Sequence, residues 1–138
     1  MSMDIGGAIK LIATDVVVPA DSTVTAAAGD FTAVEIPIRA SRSGSVFFYA
    51  KGSNASSSGN LIFTFQVSPD ADRGDSGVAT WRDDEAKTIA LSGISVITDD
   101  TSQYQLEPAG YSFMRLGSIQ NTDAAYSATA NGVVNLGV

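Results

Sequence analysis

Between residues 61 and 68 the chain alternates. Leu61, Phe63, Phe65 and Val67 stand on one side, and Ile62, Thr64, Gln66 and Ser68 on the other. A period of two belongs to the extended strand, whose successive side chains point to opposite faces. One face of this segment is therefore expected in a core and the other against solvent. The same pattern returns along the chain. Val34, Ile36 and Ile38 form a second alternating face, interrupted by Pro37, which cannot donate to a ladder and so marks an edge or bulged strand. Val46, Phe48 and Ala50 face one way, Phe47 and Tyr49 the other. Ile89 and Leu91, then Ile94 and Val96, read as two short strands split by a tight turn at Ser92-Gly93. Two further strands are expected at about 111–119 and 127–136.

Turn residues punctuate these runs at Ser43-Gly44, Ser56 to Asn60, Pro69-Asp70, Asp99-Asp100, Pro108 to Gly110 and Asn131-Gly132. The Ser- and Gly-rich stretch from Gly52 to Asn60 reads as a mobile loop. Helical periodicity is weak throughout, and the short alanine-rich stretch from Ala124 to Ala130 is broken by Ser, Thr and Tyr. The pattern predicts an all-β chain, an antiparallel β-sandwich or jelly roll with about eight strands. Its expected core holds Val34, Ile36, Phe48, Leu61, Phe63, Phe65, Val67, Ile89, Leu91 and Leu116. At 138 residues this is one domain, residues 16–138, preceded by an N-terminal arm or edge strand over residues 1–15.

The sequence contains no histidine and no cysteine. Histidine is the usual general base, and cysteine the strongest nucleophile at neutral pH. Without them there is no Ser-His-Asp or Cys-His centre, no standard zinc site and no disulfide. The expectation is a protein that is not an enzyme and carries no cofactor. The formal net charge is −7, from 8 basic and 15 acidic residues. The cations, Lys10, Arg39, Arg42, Lys51, Arg73, Arg82, Lys87 and Arg115, are scattered, so no nucleic-acid partner is expected. No run approaches the roughly 18 apolar residues of a membrane helix, and no membrane partner is expected.

Three smaller motifs point to no chemistry. Asp70, Asp72 and Asp75, with Asp83, Asp84 and Glu85 further on, suggest calcium, but the spacing fails the EF-hand pattern and reads as a solvated acidic turn. Nothing brings a chosen pair of Glu35, Glu85 and Glu107 together as a glycosidase needs. Arg73-Gly74-Asp75 spells an integrin-binding tripeptide, which is short enough to arise by chance. Trp81, the single tryptophan, suits a core or interface anchor, or stacking on a sugar with help from Tyr49, Tyr104, Tyr111 and Tyr126.

Two segments together carry a resemblance. Phe63-Thr64-Phe65-Gln66-Val67-Ser68-Pro69-Asp70 is followed after a loop by Thr80-Trp81. Later comes Tyr111-Ser112-Phe113-Met114-Arg115-Leu116, with Ile119-Gln120-Asn121-Thr122 behind it. This arrangement resembles small β-sandwich virion proteins of tailed bacteriophages, most of all head decoration, or cement, proteins, over roughly residues 60–136. The chain departs from their commonest form by placing residues 71–77 where a shorter Gly turn is usual. The resemblance implies a non-catalytic component of the virion on the capsid surface. Its partners would be the major capsid protein and itself, as a homotrimer. A tail, neck or fibre component, or a carbohydrate-binding sandwich, is the alternative. The expected interface residues are Ile5, Ile9, Leu11 and Ile12 of the N-terminal arm, with Trp81, Tyr111 and Phe113.

Overall fold

The computed structural model describes residues 9–37, 43–68, 81–99 and 113–137. These form ten strands and, among the described residues, no helix. The strands are β1 (Ile9–Lys10), β2 (Val16–Val18), β3 (Ser22–Thr25), β4 (Ile36–Pro37), β5 (Ser43–Gly52), β6 (Asn60–Ser68), β7 (Arg82–Ala90), β8 (Val96–Asp99), β9 (Phe113–Asn121) and β10 (Ala128–Gly137). In one sheet β10 lies between β5 and the pair β1 and β2, with β8 on the far side of β5. In the other, β9 lies between β6 and the pair β3 and β4, with β7 beyond β6. Every pairing is antiparallel.

Each short pair is a single edge strand with an interruption, a short bulge between β1 and β2 and a ten-residue excursion, residues 26–35, between β3 and β4. Between Lys10 and Val16 the edge advances six residues while β10 advances three, from Val133 to Ala130. Counted this way there are eight strand positions. The pairings nest: β2 with β10, β3 with β9, β5 with β8, β6 with β7. A long antiparallel ribbon rolled up on itself gives this order, which is the jelly roll.

The alternation holds. β6 reads buried on Leu61, Phe63, Phe65 and Val67, and Val46, Phe48 and Ala50 are buried on β5. Ile36, Ile89, Leu91 and Leu116 are buried too, and Val34 packs half-buried against the core. Phe48 from one sheet meets Phe63 and Phe65 from the other, with ring centroids 4.4 and 5.6 Å apart. Pro37 sits on an edge, opposite Phe113. Strand β9 lies within its sheet, which accounts for its apolar residues on both faces: Met114 and Leu116 point into the core, Phe113 outward.

Three local expectations are corrected. Ser92-Gly93 is a turn, but β7 and β8 belong to different sheets, so it carries the chain across the sandwich and closes no hairpin. Asn131-Gly132 lies inside β10 and is no turn. The Asn131 side chain is buried in the gap between β1 and β2. There it accepts from Ile12 N (3.2 Å) and donates to Ile12 O (3.1 Å), doing the work of a missing strand residue. The loop after Gly52 is far from loose. Ser57 N donates to Asn54 O, Gly93 N to Ser57 O, Leu91 N to Gly59 O, and Ser53 N to Ser127 O. Asp21 N donates to Asp123 O, so the connections β2–β3, β5–β6, β7–β8 and β9–β10 interlock at one end of the sandwich. Gly52 is required there, because a Cβ would stand 2.3 Å from the Gly93 carbonyl oxygen.

Asp123 is the centre of that end. Its Oδ2 accepts from Ser58 N (2.8 Å), and its Oδ1 from Ala125 N (2.8 Å) and Tyr126 N (3.1 Å). These backbone donors, Ser58 foremost, hold the carboxyl below its ordinary pKa against the opposing effect of burial. A carboxylate depressed in the folded state stabilises the protein above its unfolded pKa, about 3.9, and that stabilisation is lost as pH falls through the lower folded value. Asp123→Asn is therefore expected to lower the urea midpoint at neutral pH. Its deficit should close as wild type and variant are followed down to about pH 2. Parallel pH profiles would show that the charge on Asp123 contributes nothing.

Candidate interaction surface

On the outer face of the second sheet, three strands set polar side chains in one row. Phe65 and Val67 point inward, so the intervening Gln66 points out. Register places Gln66 opposite Asp83 of β7 on one side and Arg115 of β9 on the other. The row is bonded across its length. Gln66 Nε2 donates to Asp83 Oδ1 (3.0 Å), and Arg115 Nε donates to Gln66 Oε1 (2.8 Å). An acceptor on one side and a donor on the other fix which way the amide points. Gly117 leaves room for this side chain, since a Cβ there would stand 2.5 Å from Gln66 Cγ. Gly117 also lies where the β6–β9 register shifts, the extra residue of a bulge that bends β9.

Trp81 immediately precedes β7 and is half-buried. The Arg115 guanidinium carbon lies 4.4 Å from its ring centroid, a cation–π contact of about 0.5–2 kcal/mol. Burial pushes the guanidinium pKa down, and the charge of Glu35 pulls it back up. Arginine remains a cation at neutral pH all the same. Ring and guanidinium are thus held in place before any partner arrives, which lowers the ordering cost of a contact made through them.

The remaining expected interface residues fall in different places. Leu11 and Ile12 are 0% and 1% exposed, inside the core of their own domain, and Ile9 packs half-buried against it. From residue 9 onward the N-terminal segment is therefore the edge strand and not an arm reaching a neighbour. Phe113 is half-buried at the start of β9, opposite Ser68. Ile5 and Tyr111 lie outside the described residues, as do the aspartates at 70, 72 and 75, the Arg73-Gly74-Asp75 tripeptide, Tyr104 and Glu107. Among the described residues no group of three acidic side chains stands where a metal ion would sit. Glu85 is instead paired with Lys87 (2.9 Å) on the core-facing side of edge strand β7. Inward charges on an edge strand discourage a foreign strand from adding there.

Gln66 and Arg115 were not singled out by their sequence, and Asp83 entered only as a member of the acidic set read as a solvated turn. Alternation turns Gln66 outward, but its neighbours depend on strand register, which alternation does not encode.

No family model matches the chain, and no curated protein matches it. A solved structure described as "Bacillus endospore appendages form a novel family of disulfide-linked pili" aligns over 100% of this chain and 98% of that one, at 12% identity. Its TM-score is 0.26, too low for the likeness to carry any argument about this chain.

Proposed function

We propose that the chain is a non-catalytic structural protein of a phage virion, a decoration protein that binds and stabilises the head shell. The observation that supports this most is the ordered Trp81–Arg115 pair on an outer sheet face, braced through Gln66 and Asp83. Tryptophan and arginine dominate the energetics of protein interfaces, and tryptophan and arginine already fixed in place make the cheapest anchors. A protein of this kind works by buried contact area repeated over many copies, and a closed homotrimer would multiply each weak contact. The major capsid protein is the proposed partner and the capsid surface the proposed location.

The test is co-sedimentation of the purified chain with heads assembled from the capsid protein of the same phage, with light scattering to give the oligomeric state. The expected results are a trimer and saturable binding. Trp81→Ala should lose tenfold or more in affinity while its melting temperature stays near wild type. Heads that take up none of the protein, or that bind Trp81→Ala as tightly as wild type, would overturn the reading.

A further inference from the structure

The outer face of the first sheet carries a cavity of about 390 Å³, lined by Asp15, Tyr49, Ala50, Lys51, Val96 and Thr129. It lies within the range of about 300–1000 Å³ usual for small-molecule sites. Three strands converge on it through register, with Thr129, Lys51 and Val96 opposite one another across β10, β5 and β8. Val17 of β2 stands next in that row, beside Thr129 and outside the lining. The two ends of that row are aliphatic and open to solvent, Val17 at 58% and Val96 at 63% exposure.

The polar side of the cavity is built. Asp15 lies in the bulge of the edge strand, just before β2. Its Oδ1 accepts from Tyr49 Oη (3.1 Å) and from Asn131 Nδ2 (2.9 Å). Asn131 is itself buried and tied to Ile12, so the carboxylate is anchored to the core of the domain. Both bonds fall on Oδ1, and Oδ2 is turned to neither donor. Burial and the neighbouring Asp15 raise the Tyr49 pKa, so its hydroxyl remains a donor across the neutral range.

The ligand class follows from this set. A carboxylate and an ammonium line the same cavity, so Asp15 disfavours an anion and Lys51 a cation. What suits both is a neutral molecule that donates and accepts hydrogen bonds at close spacing. The half-buried Tyr49 ring and the exposed Val96 side chain ask that the same molecule carry an apolar face. A sugar ring has both: hydroxyls at its edge and C–H groups on its face.

We propose that this cavity binds a terminal pyranose of a glycan. In that complex Asp15 Oδ2 accepts from a hydroxyl, Lys51 and Thr129 complete the polar contacts, and Tyr49 and Val96 cover the apolar face. The site lies on the opposite sheet from Trp81 and Arg115, so it stands or falls independently of the head-binding reading.

The experiment is titration of the ¹⁵N-labelled protein with methyl pyranosides of glucose, galactose, mannose, fucose and N-acetylglucosamine, followed by amide shifts. The expected result is that at least one of them, at millimolar concentration, moves the amides of Tyr49, Lys51, Val96 and Thr129. Asp15→Asn should weaken that binding tenfold or more. Val96→Lys, which fills the rim and leaves the Asp15–Asn131 network alone, should weaken it comparably without shifting the melting temperature. Three results would overturn the proposal: no pyranoside shifting these amides, shifts centred on another face, or affinity unchanged in both variants.

Discussion

Phe65→Ala is expected to destabilise the fold by about 3–5 kcal/mol, the range for removing a buried phenylalanine ring. Phe65 is wholly inaccessible, and its ring leans on Phe48 from the facing sheet at 5.6 Å. Phe48 in turn stacks on Phe63 at 4.4 Å. The three rings join the sheets at the middle of the sandwich, so the loss combines the transfer free energy of the ring with the cavity left behind. Collapse around that cavity is restricted, because the register shifts beside Phe65 toward both β7 and β9 and the backbone is already bent there. Urea denaturation at neutral pH is the measurement. Thr64→Ala, one residue away on the outer face, serves as control and should change stability by no more than about 0.5 kcal/mol. Equal effects from the two variants would contradict the assignment of faces.

A larger loss is expected from deleting residues 2–12. An arm could be removed with the sandwich intact, but Leu11 and Ile12 are core residues. Losing each costs about 2–5 kcal/mol on the scale of buried Leu and Ile truncations, against a total stability of about 5–15 kcal/mol for a domain. The deletion also takes away Ile12 N and O, the partners of the buried Asn131 amide, and Leu11 N, which donates to Gly132 O. A buried polar group left unpaired costs about 1–3 kcal/mol more. The shortened chain should therefore show no cooperative thermal transition. A sharp melt within a few degrees of wild type would mean that β1 and the residues after it are dispensable.

How far the sequence reaches can be followed through individual residues. Strand faces were legible because the two-residue period of side-chain direction is fixed by the covalent geometry of an extended chain. Leu61 to Val67 and Val46 to Ala50 could therefore be assigned to the core without knowing what they pack on. Pro37 announced an edge for the same local reason, its missing N–H. Burial of Leu11 and Ile12 was half legible: they were visibly apolar, but apolarity alone does not say whose core they enter.

Strand partnership needed the tertiary structure. The pairing of β2 with β10 joins residues more than a hundred positions apart, and no local period encodes it. The same distance explains the misread motifs. Ser92-Gly93 has the composition of a hairpin turn, yet the strands on either side were claimed by different sheets. Asn131-Gly132 also has turn composition, but a gap in the edge strand gave the Asn131 amide a backbone partner at Ile12 that a turn would not offer. The serines after Gly52 are mobile in composition only, because Asp123, Ser127 and Gly93 reach them from other connections. Trp81 was conspicuous in the sequence from the start. Its placement under Arg115, and the row through Gln66 to Asp83, came from register, a property of three strands together. Local chemistry thus determined which residues turn inward, while the long-range closure of the rolled ribbon decided which of the outward ones stand side by side.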